Sequence, residues 1–117
     1  MLVNLITLEE AAVLTNFFKQ ENNTVLDSIY QDKGILPTCE TFDRELFDTL
    51  LGYPDCTGIR IYSGMDNDKR QCFIVVGVNS KDEDIYITRE ETPGILYVIE
   101  HGQRCPVSCP PNSELNS

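Results

Sequence analysis

His101, Cys105 and Cys109 are the densest chemical grouping in the chain, a His-xxx-Cys-xxx-Cys run of the imidazole and thiolate types that zinc selects. Spacing of four sets two such side chains on one side of a helical turn, and a fourth ligand would have to come from Cys39, Cys56 or Cys72. Structural zinc sites usually draw on two close pairs and only one stands here, so the expectation is no cofactor, with zinc as the alternative. The same residues carry a redox reading. With Pro106 opening a short turn, Cys105 would sit where the backbone dipole lowers a thiol pKa, and Cys109 would act as the resolving thiol. The spacing is CxxxC rather than CxxC and no βαβ pattern surrounds it, so a structural disulfide or two free thiols is the plainer expectation. His101 beside Cys105 or Ser108 pairs a base with a nucleophile, but such members normally converge from separate elements. No catalytic residue is assigned.

A second grouping consists of side chains that bind rather than react. If Gly58 to Tyr62 is a strand, Ile59 and Ile61 take one face while Arg60 and Tyr62 take the other, and Tyr86 and Tyr97 can join them. Arg and Tyr commonly anchor protein interfaces, although cross-strand pairing without a partner accounts for them equally simply. The Asp66-Asn67-Asp68 run starts like a calcium loop. Gln71 stands where that loop needs glycine and no glutamate closes it, which leaves a solvated hairpin turn. Nucleotide-binding glycine loops and the HExxH zinc-protease pattern are absent, and Glu9-Glu10 and Glu90-Glu91 are adjacent rather than facing carboxylates.

The elements that must position these residues follow from periodicity. Cys72 to Val78 offers no polar side chain to either face, which predicts an interior strand walled in on both sides. Thr7-Leu8-Glu9-Glu10 fits a capping box, and Leu8, Ala11, Ala12, Leu14, Thr15 and Phe18 then form a stripe predicted to face the core. Val25, Leu26, Ile29 and Tyr30 predict a second short helix. A third is predicted from an N-cap at Thr41 through Phe42, Leu46, Phe47, Leu50 and Leu51, stopped by Gly52 and Pro54. Ile85 to Ile87 and Ile95 to Glu100 complete a strand set joined by short turns. The predicted fold class is α+β: an antiparallel three- to four-stranded meander with two or three N-terminal helices on one face.

Length and charge set outer limits. A chain of 117 residues supports one core, taken as residues 1–101, followed by a Pro- and Cys-containing tail, 102–117. The prolines of that tail predict neither strand nor long helix, so it packs on the domain or on a neighbouring copy. A formal charge of −10 disfavours nucleic acid and anionic lipid. Met1 to Ile6 lacks a basic region and its apolar run ends at Thr7, so neither a signal peptide nor a membrane span is expected. Five cysteines, an odd number in a chain able to build its own core, predict reduced thiols and a cytoplasmic setting.

Together, Leu50-Leu51-Gly52, Gly58-Ile59-Arg60-Ile61-Tyr62, Val75-Val76-Gly77-Val78 and the Gly102-Gln103-Arg104-Cys105-Pro106 tail resemble a group of small uncharacterised single-domain bacterial proteins. The resemblance implies a free-standing bacterial domain and carries no functional residue with it. The expected function is therefore a non-enzymatic protein-binding or self-assembling module, with an acidic inhibitor or immunity-type protein as one form of it. Arg60, Tyr62, Tyr86 and Tyr97 would contact a protein partner or a second copy. A thiol-redox or zinc protein using Cys105 and Cys109 is the rival.

Overall fold

The computed structural model describes residues 4–100, 102–106 and 109–116. Two long strands, β2 (Cys56–Met65) and β3 (Gln71–Asn79), pair antiparallel with Ile61 opposite Val75 and Tyr62 opposite Ile74. A two-residue strand, β4 (Asp84–Ile85), pairs with the other edge of β3, so the order is β2-β3-β4 and β3 lies inside. Cys72, Val75, Val76 and Gly77 are buried, as a strand apolar on both faces requires.

The second edge of β3 is completed by fragments rather than by one strand. Backbone N–H groups at period two point to that edge: Gln71 donates to Ile35 O at 2.7 Å, Phe73 to the Glu40 carboxylate at 3.1 Å and Val75 to Ile99 O at 2.8 Å. The predicted strands at 85–87 and 95–100 thus shrink to β4 and two isolated bridges, Val75 with Ile99 and Ile87 with Tyr97. The turn at Pro93 and Gly94, with Gly94 at φ 85°, brings the chain back across too short a span for a ladder.

Helix α2 (Arg44–Leu51) lies on one face of this sheet. Leu50, Val75 and Ile99 form its buried centre, with Phe42, Phe47, Ile59 and Ile87 packed around them. Each large apolar side chain so buried contributes about 1.5–3 kcal/mol before entropy is subtracted. Gly52 ends the helix with its N–H on Asp48 O, as predicted, but the N-cap is Asp43. Thr41, the predicted cap, is instead the last residue of β1 (Cys39–Thr41).

β1 pairs antiparallel with β5 (Gln103–Cys105), Cys39 facing Cys105 and Glu40 facing Arg104. The expectation of no strand beyond Gly102 is corrected here: three residues pair before Pro106 removes the next backbone donor. Pro106 then seats on Gly34, where φ is 66° and an added Cβ would come within 3.3 Å of the proline ring.

Helix α1 (Leu8–Glu21) starts at the predicted capping box: Glu10 N donates to Thr7 Oγ1 at 3.1 Å and Thr7 N to the Glu10 carboxylate at 3.3 Å. Its stripe of Leu8, Ala11, Ala12, Leu14, Thr15 and Phe18 does not enter the core, and none of its residues is buried. Val13 and Phe17 lie on the opposite side, so the helix is apolar around much of its circumference and has no single inward face. The second predicted helix is only a single 3-10 turn, Ser28–Tyr30, because Asn23, Gln31 and Asp32 bond to one another and to the loop backbone. The fold is α+β, two helices with an antiparallel sheet. Among the described residues no helix is long and apolar enough to cross a membrane.

Candidate functional site

Alternation along β2 sends Arg60 and Tyr62 to the sheet face away from α2, over the buried Val76. Across β3, the pairing of Val78 with Asp84 puts the Asp84 carboxylate on that same face. Arg60 donates from Nη1 to Asp84 Oδ1 at 2.6 Å, and from its second terminal nitrogen to Asp82 Oδ1. The Tyr62 hydroxyl donates to Asp84 Oδ2 at 2.6 Å, and Tyr86 lies close enough to help hold that charge. Tyr62 first, then Arg60, holds the Asp84 carboxyl below the usual carboxylate range, and the same bond pushes the Tyr62 phenol up. The result is a flat patch whose one cation is shared by two acids.

Tyr97 does not join it. Its partner Ile87 packs on the core beside α2, so Tyr97 lies on the opposite face, its hydroxyl 2.9 Å from Thr92 Oγ1 and the Arg89 guanidinium 5.6 Å from its ring. There it lines a groove of about 590 Å³ with Leu46, Thr49, Ile87, Val98 and Ile99. Tyr53 fixes one end of this segment by accepting the Thr88 N–H at 3.1 Å.

The two turns that bound β3 are built alike. In the first, Asp66 Oδ1 accepts the N–H groups of Asp68 and Arg70, and Lys69 takes φ 64°. In the second, Asn79 Oδ1 accepts those of Lys81 and Glu83, and Asp82 takes φ 64°. This is the solvated hairpin turn expected of Asp66-Asn67-Asp68, with the side chain standing in for a backbone acceptor.

A second charged cluster, which no local pattern announces, sits at the other end of β3. Arg104 donates from Nη1 to Gln71 O at 2.9 Å and lies 3.2 Å from Asp66 Oδ2. The Glu40 side chain is only 2 % exposed, with Oε2 on the Phe73 N–H and Oε1 at 3.9 Å from Arg104 Nε without a well-formed hydrogen bond. Burial pushes the Glu40 carboxyl up, against the opposing pull of Phe73 and Arg104. Gly102 passes so close that a Cβ there would lie 2.5 Å from Glu40 Cγ.

Cys105 and Cys109 are joined in a disulfide with a Cα–Cα separation of 4.4 Å, and a sulfur so bonded offers no thiolate to a metal. His101 lies outside the described residues. Cys39, Cys56 and Cys72 are free, and burial raises the Cys72 thiol, in keeping with its reading as a small apolar strand residue. Among the described residues no three His, Cys, Asp or Glu side chains converge to hold a metal ion. No family model, curated protein or solved structure matches the chain.

Proposed function

We propose that the chain is a non-enzymatic protein-binding module that takes an extended segment of a partner along the outer edge of β2, framed by Arg60 and Tyr62, with Tyr86 farther along the same sheet face. One observation carries this reading: β2 is ten residues long, has no strand beyond it among the described residues, and contains neither Lys nor Pro. The bulge between Cys56 and Gly58 guards only its first residues and the Arg60 guanidinium turns inward to Asp84, so the rest of the edge is a template for an incoming strand, which gains main-chain hydrogen bonds there. Ile61 and Met65, 58 % and 67 % exposed, would supply apolar contacts on one side and Tyr62 on the other. Arg60 and Tyr62 are already fixed by Asp84, so little side-chain freedom is lost on binding. The charge of −10 favours a cationic segment, as an acidic inhibitor would meet.

The test is hydrogen exchange on the β2 amides with and without the binding partner. Their slowing on complex formation, and its loss in Ile61→Lys, are the expected outcomes. A chain whose β2 amides never slow, and which recovers no protein, removes the reading.

A thiol-disulfide function is the second reading, favoured by Cys39 standing directly opposite Cys105 across β1 and β5. The Cys39 thiolate would attack Cys105 Sγ, forming a Cys39–Cys105 bond, while the electron pair leaves on Cys109 Sγ and picks up a proton. Iodoacetamide should then label Cys109 in the native chain and not in Cys39→Ser; equal labelling of both ends this reading.

A further inference from the structure

Helix α1 buries none of its residues, and only its C-terminal end, at Lys19 and Asn22, lines a cavity with the body. Asn23 Nδ2 donates to Asp32 Oδ1 at 2.9 Å, Asp32 N to Asn23 Oδ1 at 3.2 Å, and Gln31 Nε2 to the carbonyls of Asn23 and Leu26 at 3.0 and 3.2 Å. These bonds close the segment that follows the helix into a compact loop of its own. Val13, Leu14 and Phe17 are meanwhile 68 %, 62 % and 64 % exposed. Large apolar side chains so exposed on one helix, interspersed with Glu10 and Glu21, mark a surface for a partner rather than for solvent alone.

The uncovered surface has a measurable size. The chain exposes 8866 Å², whereas a folded monomer of 13.3 kDa exposes about 6,500 Å². Its radius of gyration is 16.6 Å, against about 13 Å for a compact chain of this length. The exposed tail, residues 109–115, accounts for part of the surplus of about 2,400 Å², and the remainder still falls in the range that one protomer contributes to an obligate dimer, roughly 1,000–2,500 Å². A receptor for the helix also exists on the chain itself: the groove between α2 and residues 87–99, lined by Leu46, Ile87, Tyr97 and Val98. The groove also carries Glu45, Arg89 and Glu100, so the match with α1 is one of apolar surface rather than of charge.

We infer that α1 is an exchange arm: in a two-fold dimer each copy lays its α1 in the α2 groove of the other. Reciprocal exchange covers both apolar surfaces at once, which a foreign partner on either surface alone would not do. The β2 edge takes no part, so this inference and the strand-addition reading fail separately.

Sedimentation equilibrium on the full chain tests it. The native protein should run at twice 13.3 kDa, and Phe17→Asp or Val98→Lys should each run as a monomer with unchanged circular dichroism. Mixing the two variants should restore dimer, since the mixed pair keeps one native arm and groove and sets Asp against Lys in the other. Because both copies are acidic, dissociation should weaken several-fold as salt rises. A monomeric native chain, dimers that survive both substitutions, or dimers dissolved by Ile61→Lys instead would overturn the arm exchange. Protection of α1 amides only when a different protein binds would overturn it as well.

Discussion

The two ends of β3 carry the same device in different surroundings. At each end an Asx-type turn with a left-handed fourth residue presents a carboxylate, and a distant arginine closes on it: Arg60 on Asp82 and Asp84, Arg104 on Asp66. At the Arg60 end Asp82 lies open to water, while Asp84, only 19 % exposed, has both carboxylate oxygens taken up by Arg60 and Tyr62. At the Arg104 end the same motif reaches inward to Glu40, a nearly inaccessible carboxylate that stands in for a missing strand by taking the Phe73 N–H. Similar pairings should therefore differ in energy, because removing one partner from a dry site leaves the others unpaired, whereas water replaces it at the surface.

Arg104→Ala should give the largest effect, a loss of about 2–4 kcal/mol in urea unfolding, since the Gln71 carbonyl and the Glu40 carboxylate lose their cation together. The next is a matter of pH. A carboxyl whose folded pKa is raised contributes stability at pH values below its unfolded pKa, and that contribution is lost as pH rises through the folded value. Glu40→Gln, whose amide oxygen can still accept the Phe73 N–H, should flatten the fall in stability as pH climbs out of the ordinary carboxylate range. Asp66 and Asp84 are lowered and act in reverse, adding stability above their unfolded pKa and losing it as pH falls through the folded one. Thermal melts across the acid range separate the two signs.

Arg60→Ala should cost less than Arg104→Ala in the same urea titration, because Asp82 is rehydrated and Asp84 keeps the Tyr62 hydroxyl. The smallest contrast lies in the turns. Glycine relieves left-handed strain, so Lys69→Gly should raise stability by about 0.5–1 kcal/mol, while Asp82→Gly should show almost none of that gain because it also gives up the Arg60 pair. Equal responses at the two turns would contradict the contrast drawn between the ends.

Sequence patterns located β3 because Cys72 to Val78 is apolar at every position, and located the start of α1 and the end of α2 because Thr7 with Glu10, and Gly52 with Pro54, act through bonds only a few residues long. Glu40 was invisible for the opposite reason. β1 and β5 are three residues each, too short to show a period, and the bond that gives Glu40 its role spans 33 residues. Arg60 and Tyr62 were placed by alternation, but Tyr97 was not, because the isolated bridge to Ile87 decides its face. For α1 the periodicity was legible and the burial was not: spacing says which residues share a side, not whether anything covers them.

Gly102 has a consequence of its own. Its φ lies outside the left-handed region; what matters is that Glu40 and the Phe42 ring already fill the space that a single methyl would need. The minor sheet is thus keyed to the major one like a tenon in a mortise cut one carbon deep. Alanine at 102 would act as a wedge, driving Glu40 off Phe73 and loosening β1 and β5 while leaving the β2 and β3 hairpin intact.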